Sequence, residues 1–121
     1  MKQPQPRVLV VNRDPEVLRV ISNILEREGF NITSANSTAD ALTNVATGNF
    51  DVVIVDNLSG NNDEVEIVRQ GRLRAPTLKV LYLYDHYARH DGEPDLDSCV
   101  VAPIRVREIV GCTWELYYRG T

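Results

Sequence analysis

Short apolar runs alternate along the chain with segments whose apolar residues recur every three to four positions. FNITSA at residues 30–35 alternates as a second strand, whereas RVLVV at 7–11 and DVVIVD at 51–56, with its entirely apolar centre, are apolar runs. Runs of this kind are typical of parallel strands that are buried on both faces. A fourth and a fifth strand are predicted at LKVLYLY (78–84) and SCVVA (98–102).

The segment after the first run carries the signals of a helix start and a helix end. Asp14 can cap the N-terminus, Pro15 suits the first helical position, and Gly29 suits the end. Apolar residues that recur on one side predict the buried face of this helix. They are Val17, Ile21, Ile24 and Leu25.

Three further helices are predicted. Ser37 and Asp40 have the spacing of a capping box, and Gly48 closes the helix that they open. A short helix is expected after the polar loop NLSGNND (57–63), and another helix closes the domain. The apolar positions expected to face the core are Leu42, Val45 and Ala46 in the second helix, Val65, Ile67 and Val68 in the third, and Ile109, Val110, Thr113, Leu116 and Tyr117 in the last.

The alternation of strands and helices predicts a parallel sheet covered by helices on both faces. A full helix is not predicted between the fourth and fifth strands, because residues 85–97 contain Gly92 and Pro94 and have little helical period. We expect this helix to be shortened or missing. In such sheets the functional groups lie at the C-terminal ends of the strands, which here are residues 12–14, 56–58, 84–85 and 102–103.

Length and charge restrict the class of protein. A chain of 121 residues suits one domain, predicted at 7–118 between a flexible leader (1–6) and a tail (119–121). The net charge of −4 disfavours nucleic acid as a partner.

No apolar run has the length of a membrane span and no signal peptide is apparent, so a cytoplasmic location is expected. Cys99 and Cys112 are expected to be buried, inert thiols.

The strand ends and their spacing resemble the receiver domain of two-component response regulators, from about Arg7 to Tyr118. VLVVNRDPEV resembles the family's VLVVDDDPEV, VVAPI resembles its LLKPF, and NLSGNNDEVE keeps its loop length. DVVIVD places Asp56 at the position of the phosphorylated aspartate. The resemblance implies a flavodoxin-like (βα)5 fold, an α/β class with a doubly wound, five-stranded parallel sheet of order 2-1-3-4-5.

The same comparison indicates that the phosphorylation site is degenerate. Phosphoryl transfer to a carboxylate needs a divalent metal, and proteins hold Mg²⁺ with carboxylates, carbonyls and waters. We therefore expect no metal and no cofactor, and any Mg²⁺ would have to use Asp56 and the carbonyl of Leu58. The resemblance implies that Asn12 and Arg13, which precede Asp14, stand in place of the family's acidic pair. It also implies that the switch hydroxyl is replaced by Tyr84, the switch aromatic by Cys99 and the lysine by Ala102.

Arg13 and Asp56 suggest how such a site could be neutral without a metal. A guanidinium matches a carboxylate with two parallel hydrogen bonds, so one such pair could replace both the Mg²⁺ and the lysine. We hypothesise that Arg13 pairs with Asp56. The alternative is a solvated Arg13 and an Asp56 that is satisfied by backbone N–H groups.

Two other groups of residues could carry chemistry. His86 and His90 have the spacing of metal ligands on a helix, but a solvated loop is favoured there. Arg69, Arg72 and Arg74 are expected to form a solvated helix end. Trp114 is the aromatic residue expected to be exposed for a protein interface.

The predicted function is protein–protein interaction in bacterial signalling, without enzymatic activity and independent of metal-dependent phosphorylation. The partner would be a histidine kinase or a separate effector, and the chain a monomer or homodimer. The first alternative is a true receiver that a histidine kinase phosphorylates on Asp56 with the help of Mg²⁺. The second is a small-ligand binding module whose cleft Tyr84 lines.

Overall fold

A computed structural model describes residues 5–56, 63–84, 98–101 and 106–119, and side chains at 5–55, 65–83 and 107–119. All five predicted strands are present, and each strand end lies within one residue of its predicted position. The elements are β1 (Arg7–Val11), α1 (Pro15–Arg27), β2 (Asn31–Ala35), α2 (Thr38–Thr47), β3 (Val52–Asp56), α3 (Asp63–Arg74), β4 (Lys79–Tyr84), β5 (Ser98–Val101) and α4 (Val106–Arg119).

The described strands form one parallel sheet in the order β2-β1-β3-β4-β5. This confirms the predicted flavodoxin-like α/β fold and its strand order. In the register of β1 with β3, Val10 lies beside Ile54 and Val11 beside Val55. One step further along β3, Asp56 lies beside Leu83 of β4. The C-terminal ends of these strands therefore meet at one edge of the sheet.

Two separate apolar clusters bury the two faces of the sheet. Because side chains alternate along a strand, successive residues of β1 and β3 enter different clusters. Leu9 and Val53 pack with residues of α2 and α3, whereas Val10 and Ile54 pack with residues of α1 and α4. Burial on both faces explains why β1 is apolar from Val8 to Val11 and β3 from Val52 to Val55.

The C-terminus of α1 ends in a left-handed glycine, as the sequence predicted. Gly29 has φ 101°, and its N–H donates to the carbonyl of Glu26 at 3.2 Å. The N–H of Phe30 donates to the carbonyl of Leu25 at 3.1 Å. This pair of bonds is the Schellman motif, which satisfies the last carbonyls of a helix. It turns the chain directly into β2.

Two predictions about helix faces were wrong. Val17 is 42% exposed, and Leu18 is buried in its place. Ala46 is exposed, whereas Ala41 is buried. In addition, α3 has 12 residues and is not short. Ile21 and Leu25 of α1, and Val45 of α2, are buried as predicted.

The closing helix α4 largely agrees with its prediction. Ile109, Thr113 and Leu116 are buried, and the Thr113 hydroxyl donates to the Ile109 carbonyl at 2.6 Å. That bond lets a polar residue occupy the core. Trp114, however, is half-buried and not exposed, because its ring packs 4.4 Å from that of Phe30. Cys112 is also half-buried, not fully buried.

Several predictions fall on residues outside those that the structure describes. They include the shortened or missing helix at 85–97, with His86 and His90, the carbonyl of Leu58 and the Ala102 position. Within the described ranges, no helix combines the length and the hydropathy that crossing a membrane requires.

Candidate functional site

The candidate site is the edge of the sheet at which β1, β3, β4 and β5 end. At this edge the structure describes Asn12, Arg13 and Asp14 with their side chains. The backbone of Asp56 is described through its pairing with Leu83. The side chains of Asp56, Tyr84 and Cys99 lie outside the described residues, so their predicted roles stay predictions.

Asn12 is buried at the end of β1, with 4% of its surface exposed. Its backbone N–H donates to the Ala35 carbonyl at 3.1 Å and so extends the pairing of β1 with β2. Its side-chain Oδ1 accepts the N–H of Asp14 at 2.9 Å. A backbone N–H can only donate, so the amide oxygen must be the atom that faces it. The orientation of the Asn12 carboxamide is therefore fixed.

Asp14 is the N-cap of α1, as predicted. One carboxylate oxygen accepts the N–H of Glu16 at 2.9 Å and that of Val17 at 3.4 Å. The Asp14 carbonyl accepts the N–H of Leu18 at 2.9 Å, which is the first bond of the helix. A carboxylate at this position satisfies otherwise unpaired N–H groups and stabilises the positive end of the helix dipole. Asp14, the one acidic residue among residues 12–14, is therefore engaged in capping the helix.

Arg13 has an exposed side chain between these two fixed residues. Among the side chains that the structure describes, ion pairs join Arg69 to Glu66 and Arg119 to Glu115. None of the described pairs involves Arg13. The carboxylate of Asp56 is not among these side chains, so the pairing of Arg13 with Asp56 stays a prediction.

The described residues at this edge do not fit a magnesium site. The two positions of the family's acidic pair hold a neutral amide, whose oxygen already accepts a hydrogen bond, and a cation. Mg²⁺ requires oxygen ligands and normally one or two carboxylates. Nowhere in the described part of the chain do three His, Cys, Asp or Glu side chains form a group that could hold a metal.

The arginines of α3 are partly engaged within the fold. The guanidinium of Arg69 donates to the Glu66 carboxylate at 2.8 and 3.0 Å, and Arg72 donates to the Leu78 carbonyl at 3.2 Å. The hydrogen bond from Arg69, with a second from Gln70, lowers the pKa of Glu66. Arg69 and Arg74 are exposed as predicted, whereas Arg72 is half-buried, because its guanidinium bonds the backbone before β4.

The hydrogen bond between Asn12 and Asp14 is the feature that sequence reasoning missed. Asn side chains often accept the backbone N–H of the residue two positions later, and they do so where a turn begins. An asparagine two residues before a capping aspartate carries that signal. It could have indicated which way the Asn12 amide points.

Comparison with known proteins identifies the family. The model of the response regulator receiver domain matches residues 8–100. The chain belongs to this family. Receiver domains act in two-component signalling, so this chain is a component of such a system.

The chain is similar to parts of longer transcriptional regulatory proteins. The chain is 32% identical over 84 residues to the alginate biosynthesis transcriptional regulatory protein AlgB of Pseudomonas putida, which covers 69% of this chain and 19% of AlgB. It is 27% identical to the transcriptional regulatory protein ResD of Bacillus subtilis, over 88% of this chain and 45% of ResD. The receiver domain thus spans less than half the length of these two relatives.

Solved structures support the same fold. A CheY-like receiver domain protein of Methanospirillum hungatei JF-1 superposes with a TM-score of 0.83 at 18% identity, over 97% of both chains. The response regulator TrrA of Thermotoga maritima, solved with Mg²⁺ and BeF, has a TM-score of 0.77 at 27% identity over 93% of this chain and 99% of TrrA.

Proposed function

We propose that this receiver domain is a protein–protein interaction module whose signalling does not depend on metal-dependent phosphorylation, and that it is not an enzyme. The arrangement of Asn12 and Asp14 carries the proposal. A buried amide occupies one metal-binding position, and the neighbouring acid caps α1. Phosphorylation of Asp56 would need a cation at this edge to neutralise the developing charge.

The partner in this proposal is another signalling protein, either a histidine kinase or a separate effector. The relatives AlgB and ResD are named as transcriptional regulatory proteins, which supports a place in cytoplasmic signalling for this chain. An unphosphorylated receiver would act there by binding in one fixed conformation. No chemical change at Asp56 is required for such an interaction.

Treatment with a phosphodonor tests the proposal directly. The protein is incubated with Mg²⁺ and acetyl phosphate, or with Mg²⁺ and beryllofluoride, and its mass and melting temperature are measured. We expect neither a phosphoryl adduct nor a shift in melting temperature, with Asp56→Asn as the matched control. An adduct that forms on the protein but not on Asp56→Asn would overturn the proposal.

The alternative function is that of a receiver phosphorylated on Asp56 by a histidine kinase. Membership of the family and the 27% identity to TrrA, which was solved with Mg²⁺ and BeF, favour it. It requires that Mg²⁺ binds without the acidic pair. The same incubation decides between the two functions.

A further inference from the structure

One side of α1 exposes apolar side chains beside the buried face of the helix. Val17 is 42% and Val20 48% exposed, and Ile24 is half-buried. Residues spaced by three and four positions lie on one side of a helix, so these three form a continuous stripe, which we call the α1 stripe. The apolar cluster on this face of the sheet uses Leu18 and Leu25 instead. Scattered apolar residues are common at surfaces, but a contiguous apolar surface indicates an interaction site.

A groove that α1 shares with α4 extends the α1 stripe toward the C-terminal end of α1. Ile24 and Glu28 line it from α1, and Arg107 and Val110 line it from α4. Its volume is about 310 Å³, which leaves space for a side chain of a partner. The apolar surface of α1 is therefore continuous with Val110 of α4.

Charged residues of opposite sign mark the two ends of the α1 stripe. Glu16 lies in the first turn of α1 and Arg27 in the last, and both are exposed. They are separated by about three helical turns, so their side chains leave the helix in nearly the same direction, along one margin of the stripe. Among the described side chains, ion pairs occur within α3 and within α4 and involve neither of these two residues.

We propose that a second copy of this chain covers the α1 stripe, with the two α1 helices antiparallel about a two-fold axis close to Val20. Val17 of one copy then lies opposite the partner's Ile24, at the mouth of the groove. Glu16 of one copy lies within one helical turn of the partner's Arg27, on the same side of the interface. The two-fold axis repeats both contacts.

The charges favour a second copy in the antiparallel direction. A parallel pair would place Glu16 against the partner's Glu16 and Arg27 against the partner's Arg27, and such like-charge contacts are unfavourable. The antiparallel pair replaces both with attractive contacts and also opposes the dipoles of the two helices. Such a surface is complementary to itself, as a two-fold dimer requires. This self-association goes beyond the proposed function, since none of its residues belongs to the candidate site.

Sedimentation velocity on the full chain tests the proposal. Three apolar side chains from each copy make a small interface, so the protein is measured from roughly micromolar to millimolar concentration. We expect the sedimentation coefficient of the wild type to rise with concentration toward that of a dimer. Val20→Glu should stay monomeric over the same range, because it brings two carboxylates together at the two-fold axis. A wild type that stays monomeric throughout would overturn the proposal.

Leu73→Glu is the matched control for the added charge. Leu73 is 71% exposed, and it lies on α3, which packs on the opposite face of the sheet from α1. Leu73→Glu should associate like the wild type. Circular dichroism and melting temperature at low concentration check that both variants are folded, and a change of about 3 °C or less is expected at an exposed position. A dimer that Val20→Glu leaves intact, or that Leu73→Glu weakens equally, would overturn the proposal.

Charge reversal gives a second readout, which depends on the direction of the helices. Glu16→Arg and Arg27→Glu should each weaken the dimer by roughly 3–10-fold, because each turns two attractive contacts into repulsive ones. The double variant with both changes restores the pairs with their signs exchanged, so its association should return to within about twofold of the wild type. In a parallel dimer the single variants would associate like the wild type. That result, or a double variant no tighter than the single ones, would overturn the antiparallel arrangement.

Discussion

At the scale of single residues, the motif of residues 12–14 contains neighbours that differ in burial and in role. The three stand together in the sequence, where they replace or follow the family's acidic pair. In the structure Asn12 is buried in the sheet edge, Arg13 is exposed and Asp14 caps a helix. Each therefore experiences a different electrostatic environment. The pairing of Arg13 with Asp56 stays a prediction, because the side chain of Asp56 lies outside the described residues.

Leu18 and Val17 provide a test of which face of α1 is buried. Leu18→Ala should lower the free energy of unfolding by roughly 2–4 kcal/mol, because it leaves a cavity against the sheet. Val17→Ala should change it by about 0.5 kcal/mol or less, since Val17 is 42% exposed. Urea unfolding followed by circular dichroism measures both. Equal losses in the two variants would show that the assignment of the buried face is wrong.

Glu66 and Arg69 give a prediction about pH. The hydrogen bond from Arg69 lowers the pKa of Glu66 in the folded protein. The contribution of this pair to stability is therefore complete above the pKa of Glu66 in the unfolded chain, and it is lost as the pH falls through the lower folded pKa. In an NMR titration, Arg69→Gln should move the pKa of Glu66 upward. An unchanged pKa in Arg69→Gln would contradict the proposed cause.

At the scale of elements, a glycine sets how closely α3 approaches the start of β4. A Cβ at Gly71 would lie 2.7 Å from Cδ2 of Leu78, so the side chain of Leu78 would have to move. We expect Gly71→Ala to lower the free energy of unfolding by about 0.5–2 kcal/mol, because overpacking against the buried Leu78 outweighs the helix propensity that alanine gains over glycine. Thermal unfolding measures the change.

Gly111 in α4 is the control for this substitution. Nothing lies within 4 Å of a Cβ built at Gly111, and the residue is exposed within the helix. Gly111→Ala should stabilise the protein by roughly 0.5–1 kcal/mol, because alanine loses less entropy than glycine on forming a helix. Destabilisation by both variants would show that packing at Leu78 is not the cause.

Helix ends could be predicted from the sequence far better than helix faces. Asp14, Gly29 and Ser37 act through local backbone hydrogen bonds, which a short stretch of sequence specifies. The buried face of α1 includes Ser22, whose hydroxyl shares a 2.7 Å hydrogen bond with that of Ser34 in β2. A polar residue on the buried face shifts the apparent apolar stripe toward Val17. That partner is distant in sequence, so the pattern could not show it.

At the scale of the whole molecule, the parallel sheet and the location of the candidate site could be predicted from the alternation of elements, and the strand order followed from the resemblance to receiver domains. Alternating strands and helices indicate a parallel sheet, and its C-terminal edge is where such folds place their sites. The orientation of the Asn12 amide was not predicted, although its cause is local. Its oxygen accepts the N–H of Asp14, two residues later, which is a contact that asparagine often makes where a turn begins.

The aromatic contact between Trp114 and Phe30 has a consequence for spectroscopy. Trp114 is the only tryptophan in the sequence, and its ring stacks on Tyr118 at 5.6 Å as well as packing on Phe30. Phe30 directly precedes β2, so this fluorophore reports on the edge where the parallel strands begin. Its emission will follow global unfolding but remain insensitive to cations at the other edge. The protein thus contains an intrinsic optical reference against which any ion titration at Asp56 can be normalised.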